Sequence, residues 1–275
     1  MNGPPISSRK KLLKWTTELL RRHSTKPLSK YSQSFIIEPK VIKDILNALD
    51  TFPASTTLIE VGTGLGTLTY YLLRRSYRLV SIELDPMLAS IAYNICVSKN
   101  LFLLNTDALY IDWPTGVLVS NTPFHISSYL LVKLARSNNV SGAVLVLQKE
   151  VASRIIAKPG TKSYGRLRIL LSILFDIEPG SVYPPSYFYP SPEVSARLVV
   201  LKRKAMYSRI HEILENITRL LFSQRRKLAI KVIKKRLALS YEEIKEVGVG
   251  ESQRIYQLKP ETLLRISEKI LERSI

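Results

Sequence analysis

The stretch Thr57-Leu58-Ile59-Glu60-Val61-Gly62-Thr63-Gly64-Leu65-Gly66 decides the fold. Its first half is an apolar run of strand length, and its second half is a glycine-punctuated turn with a helix-like segment directly after it. Glycine lacks a Cβ, so this spacing permits a tight strand-to-helix turn and lets a ligand approach bare backbone. The G-x-G-x-G spacing departs from the dinucleotide pattern G-x-G-x-x-G, and alone it is matched as well by an ordinary turn. Context raises it. Further apolar runs at residues 79–84, 101–104, 116–120 and 143–147 are separated by helix-like segments, an alternation that predicts a doubly wound parallel α/β sheet.

On the N-terminal side of this pattern, Leu12, Leu13, Trp15, Leu19 and Leu20 stand among Arg9, Lys10, Lys11, Lys14, Arg21 and Arg22, the spacing of a basic amphipathic arm. Pro39 suits a first helical turn, and Val41, Ile42, Ile45, Leu46 and Leu49 continue a helix until Pro53. On the C-terminal side, residues 149–157 and 166–175 read as helices around a loop at 158–162, and residues 194–201 read as a strand. The proline-rich segment 183–192 before that strand points to a late hairpin closing the sheet with antiparallel edge strands. Beyond Ala205 no strand is expected. Ile210, Ile213, Leu214, Ile217, Leu220 and Leu221 form an i, i+3, i+4 stripe that predicts a small helical domain. The expected division is a basic arm over residues 1–30, an α/β domain over 31–203 and a helical domain over 204–275.

Charge narrows the class of partner. The 275 residues carry 41 Lys and Arg against 22 Asp and Glu, a net +19, and the pI is near 10.0, which points to a polyanion. Residues 1–35 hold eight basic and one acidic side chain (+7), residues 36–200 hold 15 and 12 (+3), and residues 201–275 hold 18 and 9 (+9). A solvated, ion-pair-rich surface is the bland alternative, but such surfaces usually balance their signs. No apolar stretch approaches the roughly 20 residues of a membrane-spanning helix, and the N-terminus lacks a signal-peptide pattern, so a cytoplasmic protein without membrane contact is expected. Cys96, the single cysteine, allows no intrachain disulfide and reads as buried filler. His23, His125 and His211 show no ligand spacing, so no metal is expected.

Four successive strand ends carry the chemistry. Gly62 and Gly64 sit in the loop after the first strand of the sheet. Glu83 follows Gly62 by 21 residues and ends the second, where a carboxylate accepts both hydroxyls of an adenosine ribose. Asp107 follows the third, where an acid accepts from an adenine amino group. Singly, each acid is equally an exposed loop carboxylate; as an ordered set they describe one nucleoside site. The fourth strand ends in Asn121-Thr122-Pro123-Phe124. An exocyclic adenine amine is a poor nucleophile because its lone pair is delocalised into the ring. The Asn121 carboxamide oxygen and the Thr122 backbone carbonyl would accept its two hydrogens and favour a pyramidal nitrogen aimed at an activated methyl group. Pro123 would stiffen the turn, and Phe124 offers a face for stacking a flipped base.

With these motifs in this order the chain resembles the ribosomal RNA adenine N6,N6-dimethyltransferases, the family of the kasugamycin-sensitivity enzymes. Tyr31-Ser32-Gln33-Ser34-Phe35-Ile36 resembles the family's Gly-Gln-Asn-Phe-Leu motif, and Lys149-Glu150-Val151-Ala152 with Tyr164-Gly165-Arg166-Leu167 matches a middle signature. Phe188-Tyr189-Pro190-Ser191-Pro192-Glu193-Val194 matches the Phe-x-Pro-x-Pro-x-Val segment, and Phe222-Ser223-Gln224-Arg225-Arg226-Lys227 resembles a signature of the helical domain. The resemblance implies a Rossmann-like class I methyltransferase sheet. It implies S-adenosylmethionine as methyl donor, held by Ser34, Ile36, Gly62, Gly64, Glu83, Asp107 and Asn121. Asn121, Thr122, Pro123, Phe124 and Phe188 would surround the target base. The implied reaction dimethylates N6 of two adjacent adenosines near the 3' end of small-subunit rRNA, inside an assembling small subunit, by a monomer. Ser32 and Ser34 stand where the family usually has glycine and asparagine, and Phe124 where tyrosine is common. Arg225, Arg226 and Lys227, with Lys231, Lys234, Lys235 and Arg236 beyond them, fit phosphate gripping. Rival readings are a large-subunit rRNA methyltransferase of the antibiotic-resistance type and a noncatalytic nucleic-acid-binding factor on the same scaffold. Intact Glu83, Asp107 and Asn121 argue against the second.

Overall fold

A computed structural model describes residues 3–75 and 78–273 of the chain; residues 1, 2, 274 and 275, at the ends of the first and last expected segments, lie outside the described residues. The main sheet has seven strands. Five are parallel and form in chain order: β2 (Leu58–Val61), β3 (Leu79–Glu83), β4 (Leu101–Asn105), β5 (Gly116–Asn121) and β6 (Val140–Gln148). Two later strands, β7 (Phe175–Tyr183) and β9 (Ala196–Arg203), extend it to the order β4-β3-β2-β5-β6-β9-β7, with β9 antiparallel to β6. The strand order therefore reverses between β2 and β5. In open α/β sheets ligands bind beyond the carboxyl ends of the strands at such a switch point. A separate two-stranded ribbon joins β1 (Phe35–Ile36) to β8 (Phe188–Tyr189), with Phe35 opposite Tyr189 and Ile36 opposite Phe188.

Alternation along each strand explains the core. Leu58, Val117, Val119, Val144, Val146, Leu198 and Val200 pack as one cluster with Val41, Ile42, Ile45, Leu46 and Leu49 of α2 (Pro39–Leu49) and Leu68 and Leu72 of α3 (Thr67–Arg74). The intervening residues Ile59, Leu118, Ala143, Leu145 and Leu147 are fully buried as well, as expected of strands enclosed on both faces. The helix α4 (Pro86–Ile95) begins with Asp85 accepting from the Met87 and Leu88 N–H groups at 2.9 and 3.4 Å. Gly66, at φ +78°, is required by that helix, because a Cβ there would lie 2.9 Å from the Cys96 sulfur and 3.3 Å from the Ala92 Cα. Cys96 is indeed buried, with its thiol pushed up to about 12 by desolvation.

The chain forms two compact units whose boundaries differ from those expected. One comprises Met1–Lys133, Asn139–Ala152 and Glu178–Lys202; the other comprises Leu134–Asn138, Ser153–Ile177 and Arg203–Ile275. The N-terminal segment is not a free arm. Its helix α1 (Arg9–Arg22) buries Leu12, Thr16, Leu19 and Leu20, with Leu12 in the main core beside α2. The second unit recruits residues ahead of 204 because Ala157, Tyr164 and Ile169 supply its core. Those three pack with Leu214, Ile217 and Leu221 of α8 (Arg209–Phe222), Val232 and Ile233 of α9 (Ala229–Leu237), and Leu263 and Ile266 of α11 (Pro260–Glu272). Tyr164, fully buried, donates to the Leu258 carbonyl at 2.8 Å, which gives the Tyr164-Gly165-Arg166-Leu167 signature a packing role. The predicted helix at 166–175 ends at Leu174, as α7 (Arg166–Leu174), and Phe175 opens β7.

Candidate active site

All the cavity residues lie within the first unit. The cavity stands at the carboxyl ends of β2, β3 and β5 and, counted with the open solvent at its mouth, spans about 1070 Å³. Every expected donor-site and target-site residue lines it: Ser34, Ile36, Gly62, Gly64, Glu83, Asp107, then Asn121, Thr122, Pro123, Phe124 and Phe188. Residues separated by more than 150 positions, such as Ser34 and Phe188, meet there because β1 pairs with β8.

The glycine loop is shaped by backbone conformation. Gly62 and Gly64 have φ +84° and +57°, in the left-handed region, and a Cβ on Gly64 would lie 3.3 Å from the Phe35 ring. Glu83 holds the loop in place: its two carboxylate oxygens accept the Gly64 N–H at 2.8 Å and the Asp85 N–H at 2.9 Å. The side chain is 7% exposed, and burial pushes its carboxyl above the usual range, opposed by those two N–H donors. Asp107 closes an Asx turn, its Oδ1 accepting from the Leu109 N–H at 2.8 Å, which leaves Oδ2 as an acceptor. Behind the loop lies Glu60, 1% exposed, whose Oε2 accepts from Ser81 and Thr69 at 2.5 and 2.7 Å. Its Oε1 has no partner among the described residues, and desolvation raises its carboxyl to about 7.

At the end of β5, the Asn121 Nδ2 donates to the Ser34 carbonyl at 2.8 Å, so the carboxamide oxygen is the free end of that side chain. The Thr122 N–H donates to Val146 of the neighbouring strand at 3.1 Å, and Ser120 ties β5 to β2 through the Val61 carbonyl at 2.6 Å. Asn121 and Thr122 therefore project from a rigid strand end. The Ser34 hydroxyl is committed to the Pro190 carbonyl at 2.8 Å. Ser32, in the position where glycine is usual, has φ +46°, which gives that glycine a conformational reason.

Several lining residues were not picked out from the sequence. Gln33 accepts from the Leu28 N–H at 2.8 Å and donates to Asp85 at 2.9 Å, pinning the N-terminal motif to the start of α4. Thr67 contributes a buried hydroxyl without a partner among the described residues. Tyr31 and His125 complete the wall. Gln33, Phe35 and Tyr31 lay inside a quoted motif; Thr67 and His125 carried no such signal. Elsewhere, in the second unit, Arg226 and Lys227 are exposed, whereas the half-buried Arg225 donates to the Thr161 and Lys162 carbonyls at 3.2 and 3.1 Å and lies over the Tyr256 ring.

The chain is 32% identical over 263 residues to the Probable ribosomal RNA small subunit methyltransferase A of Methanothermobacter thermautotrophicus, covering 93% of this chain and 95% of that one. It is 34% identical to the protein of the same description from Pyrobaculum islandicum, covering 87% and 94%. Among solved structures, a dimethyladenosine transferase from Plasmodium falciparum superposes with a TM-score of 0.78 at 23% identity, covering 88% of this chain and 98% of that one. The 23S rRNA methyltransferase ErmE superposes with a TM-score of 0.67 at 24% identity, covering 86% and 99%. These two establish a shared α/β Rossmann-like methyltransferase fold. The sequence pattern described as Ribosomal RNA adenine dimethylase matches residues 25–272, and the chain belongs to that family.

Proposed function

We propose that the cavity binds S-adenosylmethionine and that the enzyme dimethylates N6 of two adjacent adenosines near the 3' end of small-subunit rRNA, within an assembling small subunit. The residues fit the nucleoside part of that donor. Glu83 keeps lone pairs for a ribose diol beyond its two backbone N–H partners, and Asp107 Oδ2 suits an exocyclic amine. The buried Thr67 hydroxyl lacks a partner among the described residues, and Gly62 and Gly64 leave bare backbone where a ligand comes close. When bound, S-adenosylmethionine supplies the methyl group as a sulfonium electrophile, so the chain has little acid or base work to do.

The observation that carries the reading is the placement of Asn121. Its amide nitrogen is spent on the Ser34 carbonyl, so its carboxamide oxygen is left to accept from the target amine. With the Thr122 carbonyl as the second acceptor, both amine hydrogens are held and the nitrogen lone pair is kept out of conjugation. Phe124 and Phe188, both on the cavity wall, flank the base and exclude water. A monomethylated amine retains one hydrogen, which one acceptor still holds during the second transfer; each transfer releases one proton to solvent. Arg226 and Lys227 grip phosphate. Mass spectrometry of small-subunit rRNA from cells with and without the protein tests the proposal. N6,N6-dimethyladenosine at two neighbouring positions is expected only with the protein present, and its absence in both samples overturns the reading.

A further inference from the structure

The mouth of the cavity carries an aromatic and cationic group that the methyl-transfer reading leaves without a task. Tyr31 and His125 both line the cavity, from distant parts of the first unit's sequence, with ring centroids 6.5 Å apart and planes inclined at 32°. That separation lies within the ~4.5–7 Å at which aromatic rings associate, so the pair forms a ledge. Lys30 places its ammonium 4.6 Å from the Tyr31 ring centre. His125 and Lys30 are exposed and Tyr31 is half-buried. His125 directly follows Phe124 in the chain, and Tyr31 opens the segment whose Ser34 carbonyl fixes Asn121. The ledge is thus joined through the chain to the residues assigned to the target base.

Resting on the reading above, we propose that His125, Tyr31 and Lys30 form a subsite for the nucleotide next to the target adenosine. A base drawn into the cavity remains joined to its neighbours, and the neighbour at the mouth is unstacked from it. An exposed aromatic ledge restores that stacking, whatever the base, because every base has a π-face. His125 is the stacking surface, Tyr31 backs it, and Lys30 neutralises the phosphate that joins the two nucleotides. In an adjacent pair of targets, the ledge holds one adenosine while the cavity holds the other.

The test uses the full chain and short RNAs containing the target pair, in three forms: intact, abasic on the 5' side of the target, and abasic on the 3' side. Binding is read by fluorescence anisotropy, and methylation of the intact RNA is read by mass spectrometry. One of the two abasic RNAs should bind the parent protein about 5- to 150-fold more weakly than the intact RNA. His125→Ala should weaken the intact RNA by a similar factor and leave that abasic RNA nearly unchanged. Tyr31→Phe should retain stacking, and Lys30→Gln should lower the salt slope by about 0.7. Equal losses on intact and abasic RNA, or parent binding indifferent to both abasic sites, overturn the subsite while methylation of the intact RNA upholds the enzyme assignment. Failure of the parent to methylate both the intact RNA and unmodified small subunits overturns both.

Discussion

Asn121 is where position and chemistry meet in one side chain. Its Nδ2 is tied to the Ser34 carbonyl, so truncation removes an acceptor aimed at the amine and also releases the N-terminal motif from β5. Asn121→Ala should lower methyl transfer about 100- to 1,000-fold at saturating donor. Donor affinity, measured by calorimetry, should fall much less, and unchanged turnover would remove Asn121 from the reaction. Glu60 governs a different quantity. Its carboxyl stands at about 7 in the folded protein against an ordinary 4.5, because burial disfavours the charged form. The folded state therefore binds the proton more tightly than the unfolded state between those values. Stability is full below the lower one, declines as pH rises through the window, and levels off above the upper one. Glu60→Gln removes this proton from the balance. Relative to the parent, the variant should gain on the order of 1–3 kcal/mol between about pH 5 and about pH 8. Urea denaturation at both pH values reads the difference, and parallel pH profiles for the two proteins would contradict it.

Among elements, those with a local cause were legible and those with a distant cause were not. The parallel strands were readable because each is a short apolar run bounded by turn residues, and the cavity lies where their ends fall. Glu83, Asp107 and Asn121 were found for that reason. Strand β7 was missed in part because the apolar run from Ile169 to Phe175 continues a helical pattern, while Pro179 and Gly180 disguise an edge strand that tolerates both. The stripe on α1 was visible, but periodicity states that a face is buried without naming its partner, so a packed helix was read as an arm. The Ser34 hydroxyl reaches a carbonyl 156 residues away, and no local pattern encodes such a bond. Arg225 is the same kind of case: its charge was read as a phosphate ligand, yet its guanidinium fastens the loop at 158–162 through two carbonyls. Gly160, within that loop, also donates to the Tyr256 carbonyl at 2.8 Å. Arg225→Gln should therefore speed amide hydrogen exchange across residues 158–164, the parent being protected by the tether. Exchange unaltered by the substitution would return Arg225 to the surface-charge class.

At the scale of the molecule the decisive property is the uneven charge, +7 in the first 35 residues and +9 in the last 75 against +3 between. In the second unit the excess is organised rather than diffuse. Lys227, Lys231, Lys234 and Lys235 are all exposed; the spacing of three and one residues among the last three places them along one side of α9, and Lys227 stands in the turn before it. The apolar residues between them, Ala229, Val232 and Ile233, face the core of that unit, so the lysines are displayed by the same periodicity that folds the helix. A lysine is a compact point charge that neutralises phosphate without reading a base, and every phosphate it neutralises frees condensed counterions into solution. Replacing all four by Gln should lower the salt slope of RNA binding by roughly 0.7 to 0.9 for each phosphate no longer neutralised, and weaken related and unrelated RNAs alike. Donor affinity should stay at the parent value, since none of the four lines the cavity. Circular dichroism checks that α9 persists. With the helix intact, an RNA salt slope equal to the parent's would mean that the charge on this face serves solubility and that the phosphates are gripped elsewhere.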